Sequence, residues 1–144
     1  MQIRECSVDD YERIHYLNEN AFGYEYDLSK TKLRLAEILA RKTDKIFVAF
    51  VDNIIVGYIH GSDYECTYSD SLKSIMAIAV DDNYRNRGIG RALLNAVESW
   101  AKECGCCGVR LVSGMNRTGA HEFYLKCGYT NRKVQKNFIK LFDN

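Results

Sequence analysis

Two periods divide the chain. Short runs alternate apolar and polar residues, and longer ones repeat apolar residues every three to four positions. Gln2 to Cys6 alternates and predicts a first strand. Ser7 reads as an N-cap with Asp9 and Asp10 in the first turn, and Tyr11, Ile14, Tyr16, Leu17 and Ala21 form a helical stripe. Residues 22–27 break it, and Leu28, Leu33, Leu35, Ile38 and Leu39 predict a second helix ending near Arg41-Lys42. Ile46 to Val51 and Ile54 to His60 read as a hairpin turning at Asp52-Asn53. Asp63 to Ser71 reads as a polar, tyrosine-containing loop, followed by a strand from Lys73 to Val80. Ile89, Leu93, Leu94, Val97, Trp100 and Ala101 share one face of a helix running to about Lys102, with Gly105 as its C-cap. A strand over Gly108 to Ser113 and a short helix from Thr118 to Cys127, closed by Gly128, come next. Tyr129 to Val134 and Phe138 to Phe142 fit two final strands. The predicted order is β-α-α-β-β-β-α-β-α-β-β, an α/β sandwich with a mixed, mostly antiparallel sheet.

Composition narrows the class. The 144 residues are 47% hydrophobic and 27% charged, as in a globular domain long enough to bury a core. The chain has no proline, and it shows no repeat, low-complexity tract or linker, so residues 1–144 are expected to form one domain. A net charge of +1 offers no bulk attraction for nucleic acid or membrane. No apolar run approaches the ~20 residues of a membrane span. The first residues lack a signal peptide's apolar stretch, which leads to an expectation of the cytoplasm and of reduced thiols among the six cysteines. Cys104, Cys106 and Cys107 have no second Cys/His pair to complete a zinc site, so no metal is expected.

The stretch Arg85-Asn86-Arg87-Gly88-Ile89-Gly90-Arg91 joins the apolar strand 75–80 to the long helix. Amides at a helix start have no intrahelical partner, and the helix dipole adds positive charge there. Glycines let the backbone approach a ligand, and three arginines add charge, so the turn suits a phosphate. It lacks the third glycine of a dinucleotide fingerprint and the Gly-Lys-Ser/Thr of a nucleotide triphosphate loop.

Arg-x-x-Gly-x-Gly resembles the pyrophosphate-binding signature of the Gcn5-related N-acetyltransferases. The segment from Asn116 to Tyr129 is similar to that family's Asn-x-x-x-Ala-x-x-Phe-Tyr-x-x-x-Gly-Phe/Tyr, at the expected distance downstream. The element order resembles this family from end to end, which implies its three-layer sandwich and acetyl-coenzyme A as acetyl donor. By the same resemblance, the amides of Ile78, Ala79 and Val80 lie at a gap in the sheet, where they pair with the pantetheine arm and polarise the thioester carbonyl. Residues 85–91 hold the pyrophosphate, Asn116 bonds the pantetheine arm, and Tyr124 protonates the departing sulfur. A phenol, with an ordinary pKa near 10, is protonated at neutral pH and can donate. Homodimers are common in the fold.

The chain departs from the pattern in two places. Asp82 stands where many members have proline, and Ser74 where several carry a glutamate base. Residues 73–80 hold no carboxylate or histidine, which leaves Glu25, His60, Asp63, Glu65 or water as the base. The resemblance puts the acceptor between the loop joining the first two helices and the loop before the fourth strand. These segments, with Tyr24, Glu25, Tyr26 and Glu65, mix aromatics with carboxylates, which suits a small cationic amine: a polyamine, an aminoglycoside or a peptide amine. The rival from another class is a non-catalytic module that binds or senses acyl-coenzyme A. A redox or metal-responsive role for the cysteine cluster would need a depressed thiol pKa or a bound metal.

Overall fold

The computed structural model describes residues 1–142; Asp143 and Asn144, the end of the expected domain, lie outside the described residues. Two compact units divide the chain, one of residues 1–112 and one of residues 113–142.

In the first unit, β1 (Gln2–Glu5), α1 (Tyr11–Phe22), α2 (Leu28–Leu39), β2 (Asp44–Val51), β3 (Ile54–Cys66), β4 (Ser69–Val80), α3 (Ile89–Glu103) and β5 (Gly108–Arg110) follow in the predicted order. The sheet runs β1-β2-β3-β4-β5, antiparallel except for the parallel β4–β5 pair. Ser7, expected as an N-cap, forms a capping box with Asp10 over the short 3-10 turn that leads into α1. Asp52 and Asn53 both take positive φ, the geometry a two-residue hairpin demands and asparagine tolerates.

One sheet face packs against α1 and α2 through Ile14, Leu17, Leu35, Val48 and Tyr58. The other receives α3, whose stripe of Ile89, Leu93, Leu94, Val97, Trp100 and Ala101 is buried as its period requires. Glycines on β3 set how closely α3 approaches. A Cβ on Gly57 would lie 3.0 Å from Ala79 O and 3.2 Å from both Ile89 Cγ2 and Leu93 Cδ1; one on Gly61 would lie 3.1 Å from the Trp100 ring.

Three sequence expectations need correction. The expected loop 63–71 is instead the paired end of the β3–β4 hairpin, in register Asp63↔Lys73 and Tyr64↔Leu72. Its polar residues resemble a loop, but cross-strand pairing of Asp63 with Lys73 makes them a ladder. β5 stops at Arg110 rather than Ser113: its pairing with β4 ends at Ser74↔Arg110, although β4 itself runs on to Val80. Residues 129–142, expected as two strands, carry no helix or strand. A strand needs a partner, and the described sheet gives them none.

In the second unit, α4 (Thr118–Lys126) is followed by Gly128, at positive φ, whose amide bonds Leu125 O at 3.0 Å.

Candidate functional site

β5 pairs with β4 only at Leu72↔Gly108, Lys73↔Val109 and Ser74↔Arg110. From Ile75 to Val80, β4 therefore has no strand beside it on that side among the described residues. The register against β3 passes from Gly61↔Ile75 to His60↔Ala77, which leaves Met76 as a bulge, 62% exposed. Ile78, Ala79 and Val80 lie in this open stretch, with Ala79 buried in the α1–α2 core and its neighbours half-buried.

The chain leaves β4 through Asp81, which sequence reasoning missed. Its amide bonds Val56 O at 2.8 Å, its Oδ1 accepts the Asn83 amide at 3.0 Å, and its Oδ2 lies 3.3 Å from Arg13 Nη2. Arg13 also donates from Nε to Ile55 O at 2.9 Å and lies over the Tyr16 ring. A carboxylate directly after an apolar strand was the available signal; its partner 68 residues away was not readable. Beyond a 3-10 turn at Asp82–Tyr84, Arg85 pairs with Asp82 at 2.8 Å and Arg87 lies over Tyr84. Asn86 (φ 62°) and Gly88 (φ 78°) are left-handed. Gly88 O accepts from Ala92 N, so the amides of Ile89 and Gly90 precede the helical ladder. Residues 85–88 are exposed, and nothing lies within 4 Å of where a Gly88 side chain would begin. The turn is thus cationic, open and tied to the end of β4 within the first unit.

A separate cavity of about 580 Å³ opens beside α1, lined by His15, Asn18, Tyr24, Glu25, Tyr26 and Thr31 among others. Tyr24, Glu25 and Tyr26 lie together in its lining. Glu65 is not among its lining: it sits on β3, where the Ser71 hydroxyl donates to it at 3.3 Å. His15, Asn18 and Thr31 were missed, because each falls within a helical period with nothing to mark it as a cavity wall. His15 Nε2 lies 2.7 Å from Tyr26 O, and Nδ1 lies 3.5 Å from Glu19 Oε1, which pins the loop to α1. Tyr58 donates its hydroxyl to Asn18 Oδ1; burial, first, and nearby Tyr24 and Cys6 raise its pKa, so it remains a phenol.

The other base candidates are engaged. Asp63 accepts from Lys73, and His60 Nε2 lies 2.7 Å from Asp44 Oδ2. Burial works to raise the Asp44 pKa, but hydrogen bonds from Thr43 and His60 outweigh it, and the carboxyl titrates below its ordinary range. No three His, Cys, Asp or Glu side chains converge as metal ligands among the described residues. The six cysteines are free; burial pushes the Cys6 thiol up to about 12 and raises that of Cys106, the opposite of what a reactive thiolate needs.

In the second unit, Asn116 is exposed in the turn before α4, where His121 Nε2 lies 2.8 Å from Gly114 O. Tyr124 is 8% exposed, with ring centroids 5.4 Å from Phe123 and 6.2 Å from Tyr129. Burial raises its pKa against a smaller opposing effect of Arg117, so the phenol keeps its proton. Ser113 Oγ is buried without a hydrogen-bond partner. No helix among the described residues is long and apolar enough to cross a membrane.

A family model described as the acetyltransferase (GNAT) family matches residues 10–129. An uncharacterized N-acetyltransferase of Methanocaldococcus jannaschii is 28% identical over 141 residues, covering 93% of this chain and 61% of its own. The chain thus spans under two thirds of that relative's length. A streptothricin acetyltransferase of Escherichia coli is 34% identical over 82 residues, covering 57% of this chain and 45% of its own. Among solved structures, AAC(6')-Iy in complex with the bisubstrate analogue CoA-S-monomethyl-acetylneamine shares the fold, with a TM-score of 0.85, 20% identity and 98% coverage of each chain.

Proposed function

The chain belongs to the acetyltransferase (GNAT) family, and from that premise we propose that it moves an acetyl group from acetyl-coenzyme A to a primary amine of a small, cationic acceptor. The observation that carries the proposal is the unpaired stretch of β4 leading directly into a cationic, left-handed glycine turn at a helix start. These features fit the ligand's two ends. An open strand edge takes an extended amide chain as an added strand, and a helix start takes its pyrophosphate.

In this reading residues 85–91 hold the pyrophosphate and Asn116 the pantetheine arm. Amides of residues 78–80 stabilise the oxyanion that forms when the amine nitrogen attacks the thioester carbon. The C–S bond breaks as the tetrahedral intermediate collapses, and Tyr124 gives its proton to the thiolate. The amine loses its surplus proton to a base outside residues 73–80, which hold no carboxylate or imidazole. The cavity of Tyr24, Glu25 and Tyr26 takes the acceptor, its carboxylate and ring faces favouring a cation. A streptothricin acetyltransferase among the relatives and an aminoglycoside N-acetyltransferase among the structures of the same fold support this reading. All 144 residues serve one acetyltransferase domain.

Calorimetry of acetyl-coenzyme A and coenzyme A binding tests the reading. Wild type is expected to bind both and Gly90→Glu to lose both; a wild type that binds neither overturns it. Tyr124→Phe is expected to lower kcat by ~100-fold with cofactor affinity unchanged, and full turnover would remove the phenol from the mechanism. The absence of a carboxylate from residues 73–80 favours a second reading, a non-catalytic acyl-coenzyme A sensor; binding without turnover across a panel of amines would select it.

A further inference from the structure

Among the described residues, four lysines and arginines are buried or half-buried: Arg13, Lys45, Lys73 and Arg110. Three of them have carboxylate partners, in Asp81, Glu5 and Asp63. Arg110 pairs with no carboxylate among the described residues. Its Nη1 donates to Ser74 Oγ at 2.9 Å, and its guanidinium lies 4.2 Å from the centre of the Tyr64 ring. A hydroxyl and a ring face fix the group in place, but neither neutralises it, and its other N–H donors remain for a further acceptor. A cation withdrawn from water without an anion is costly, so this position calls for an anion from outside the chain.

Arg110 stands where the sheet opens. It is the last residue of β5, and from Ile75 onward β4 has no strand beside it on that side among the described residues. Gly61 faces Trp100 of α3, so Ser62 next to it and Ser74 opposite Ser62 face the α1–α2 side. Arg110, bonded to Ser74, shares that side with the cavity beside α1.

The register Asp44↔Ser62, Ser62↔Ser74 and Ser74↔Arg110 makes one polar row across four strands, with an acid at one end, a cation at the other and two hydroxyls between. The acid end is satisfied within the chain, by Thr43, His60 and Ser62. The cationic end is the one left open. Along β3, this row lies three residues from the row of Ile59 and Ile78, about 10 Å. That distance suits a chain of several carbons between a carboxylate and an amine, and exceeds the reach of an amine and a carboxylate on one carbon.

We infer that Arg110 takes a carboxylate of the acceptor, so that the substrate class is an amine carrying a carboxylate several carbons from the nitrogen that is acetylated, as in a diamino acid. The inference rests on the acetyl-transfer reading above, with residues 78–80 at the thioester.

Two pairs of amines that differ only by this group test it: L-lysine against cadaverine and L-ornithine against putrescine, with products read by mass spectrometry. Wild type is expected to show ~10–100-fold higher kcat/KM for the amino acid of each pair. Arg110→Gln should erase that preference with coenzyme A affinity and thermal midpoint unchanged, and Arg110→Lys, which keeps the charge, should retain part of it. A wild type with no preference, or one that favours the diamines, overturns the inference. So does an Arg110→Gln enzyme that keeps the preference. Coenzyme A calorimetry on the same samples separates the two ideas. Coenzyme A binding with no acetylation of any of the four amines removes the carboxylate alone. No coenzyme A binding removes the acetyl-transfer reading, and this inference with it.

Discussion

The turn before α3 and the cavity beside α1 each include a left-handed glycine, Gly88 and Gly23, but they are made of different material. The turn offers mainly backbone: helix-start amides and an open strand edge, with arginines around them. The cavity offers side chains: two tyrosine rings, a glutamate, a histidine and an asparagine. A backbone site constrains sequence only where a Cβ would intrude or φ is positive. A side-chain site can be rewritten one residue at a time without moving the chain. On this reading the donor site is the fixed half of the protein and the acceptor site the variable half.

The strongest challenge to this division is Gly90→Glu. A carboxylate at the helix start faces the pyrophosphate and should cost ~100-fold in coenzyme A affinity while leaving the fold's thermal midpoint nearly unchanged. Asp81→Ala comes next. It strands Arg13 and the Asn83 amide, and is expected to cost ~1–3 kcal/mol in stability, seen in chemical denaturation, together with several-fold weaker coenzyme A binding. Because Arg13 stands on the same helix as His15 and Asn18, a parallel rise in acceptor KM would show the halves to be coupled and break the comparison. Glu25→Gln should raise KM for a cationic acceptor by ~2–5-fold with cofactor affinity unaltered, whereas Glu65→Gln should leave KM alone. Equal effects of the two would return Glu65 to the acceptor site.

The smallest effect concerns neither half. Burial would raise the Asp10 pKa, but hydrogen bonds from Arg4 and the Ser7 amide outweigh it and hold the carboxyl below its ordinary ~3.9. Its contribution is therefore present above that value and lost as pH falls through the lower folded-state pKa. Asp10→Asn should unfold slightly more easily at neutral pH, with a shallower loss of stability below about pH 4.

Local period carried most of this architecture. The stripe of α3 and the N-cap at Ser7 are statements about neighbours in sequence, and the structure repeats them. The β3–β4 end was misread because Asp63 and Lys73 make sense only as a pair across two strands. The final strands were misplaced for the converse reason: the partner that would make them strands is missing from the described sheet. At the site, the glycine turn was legible because phosphate binding uses adjacent residues. Asp81 with Arg13, and His15 with the Tyr26 carbonyl, join segments that only folding brings together.

Gly57 touches no ligand in any of this, yet it stands between Ala79 on the open strand and Ile89 at the helix start. It acts as a spacer of zero thickness between the two surfaces assigned to the thioester and the pyrophosphate. One methyl group there would widen the cradle by the few tenths of an ångström its neighbours must yield. The span between the two ends of the donor molecule is thus gauged by an atom the chain does not have.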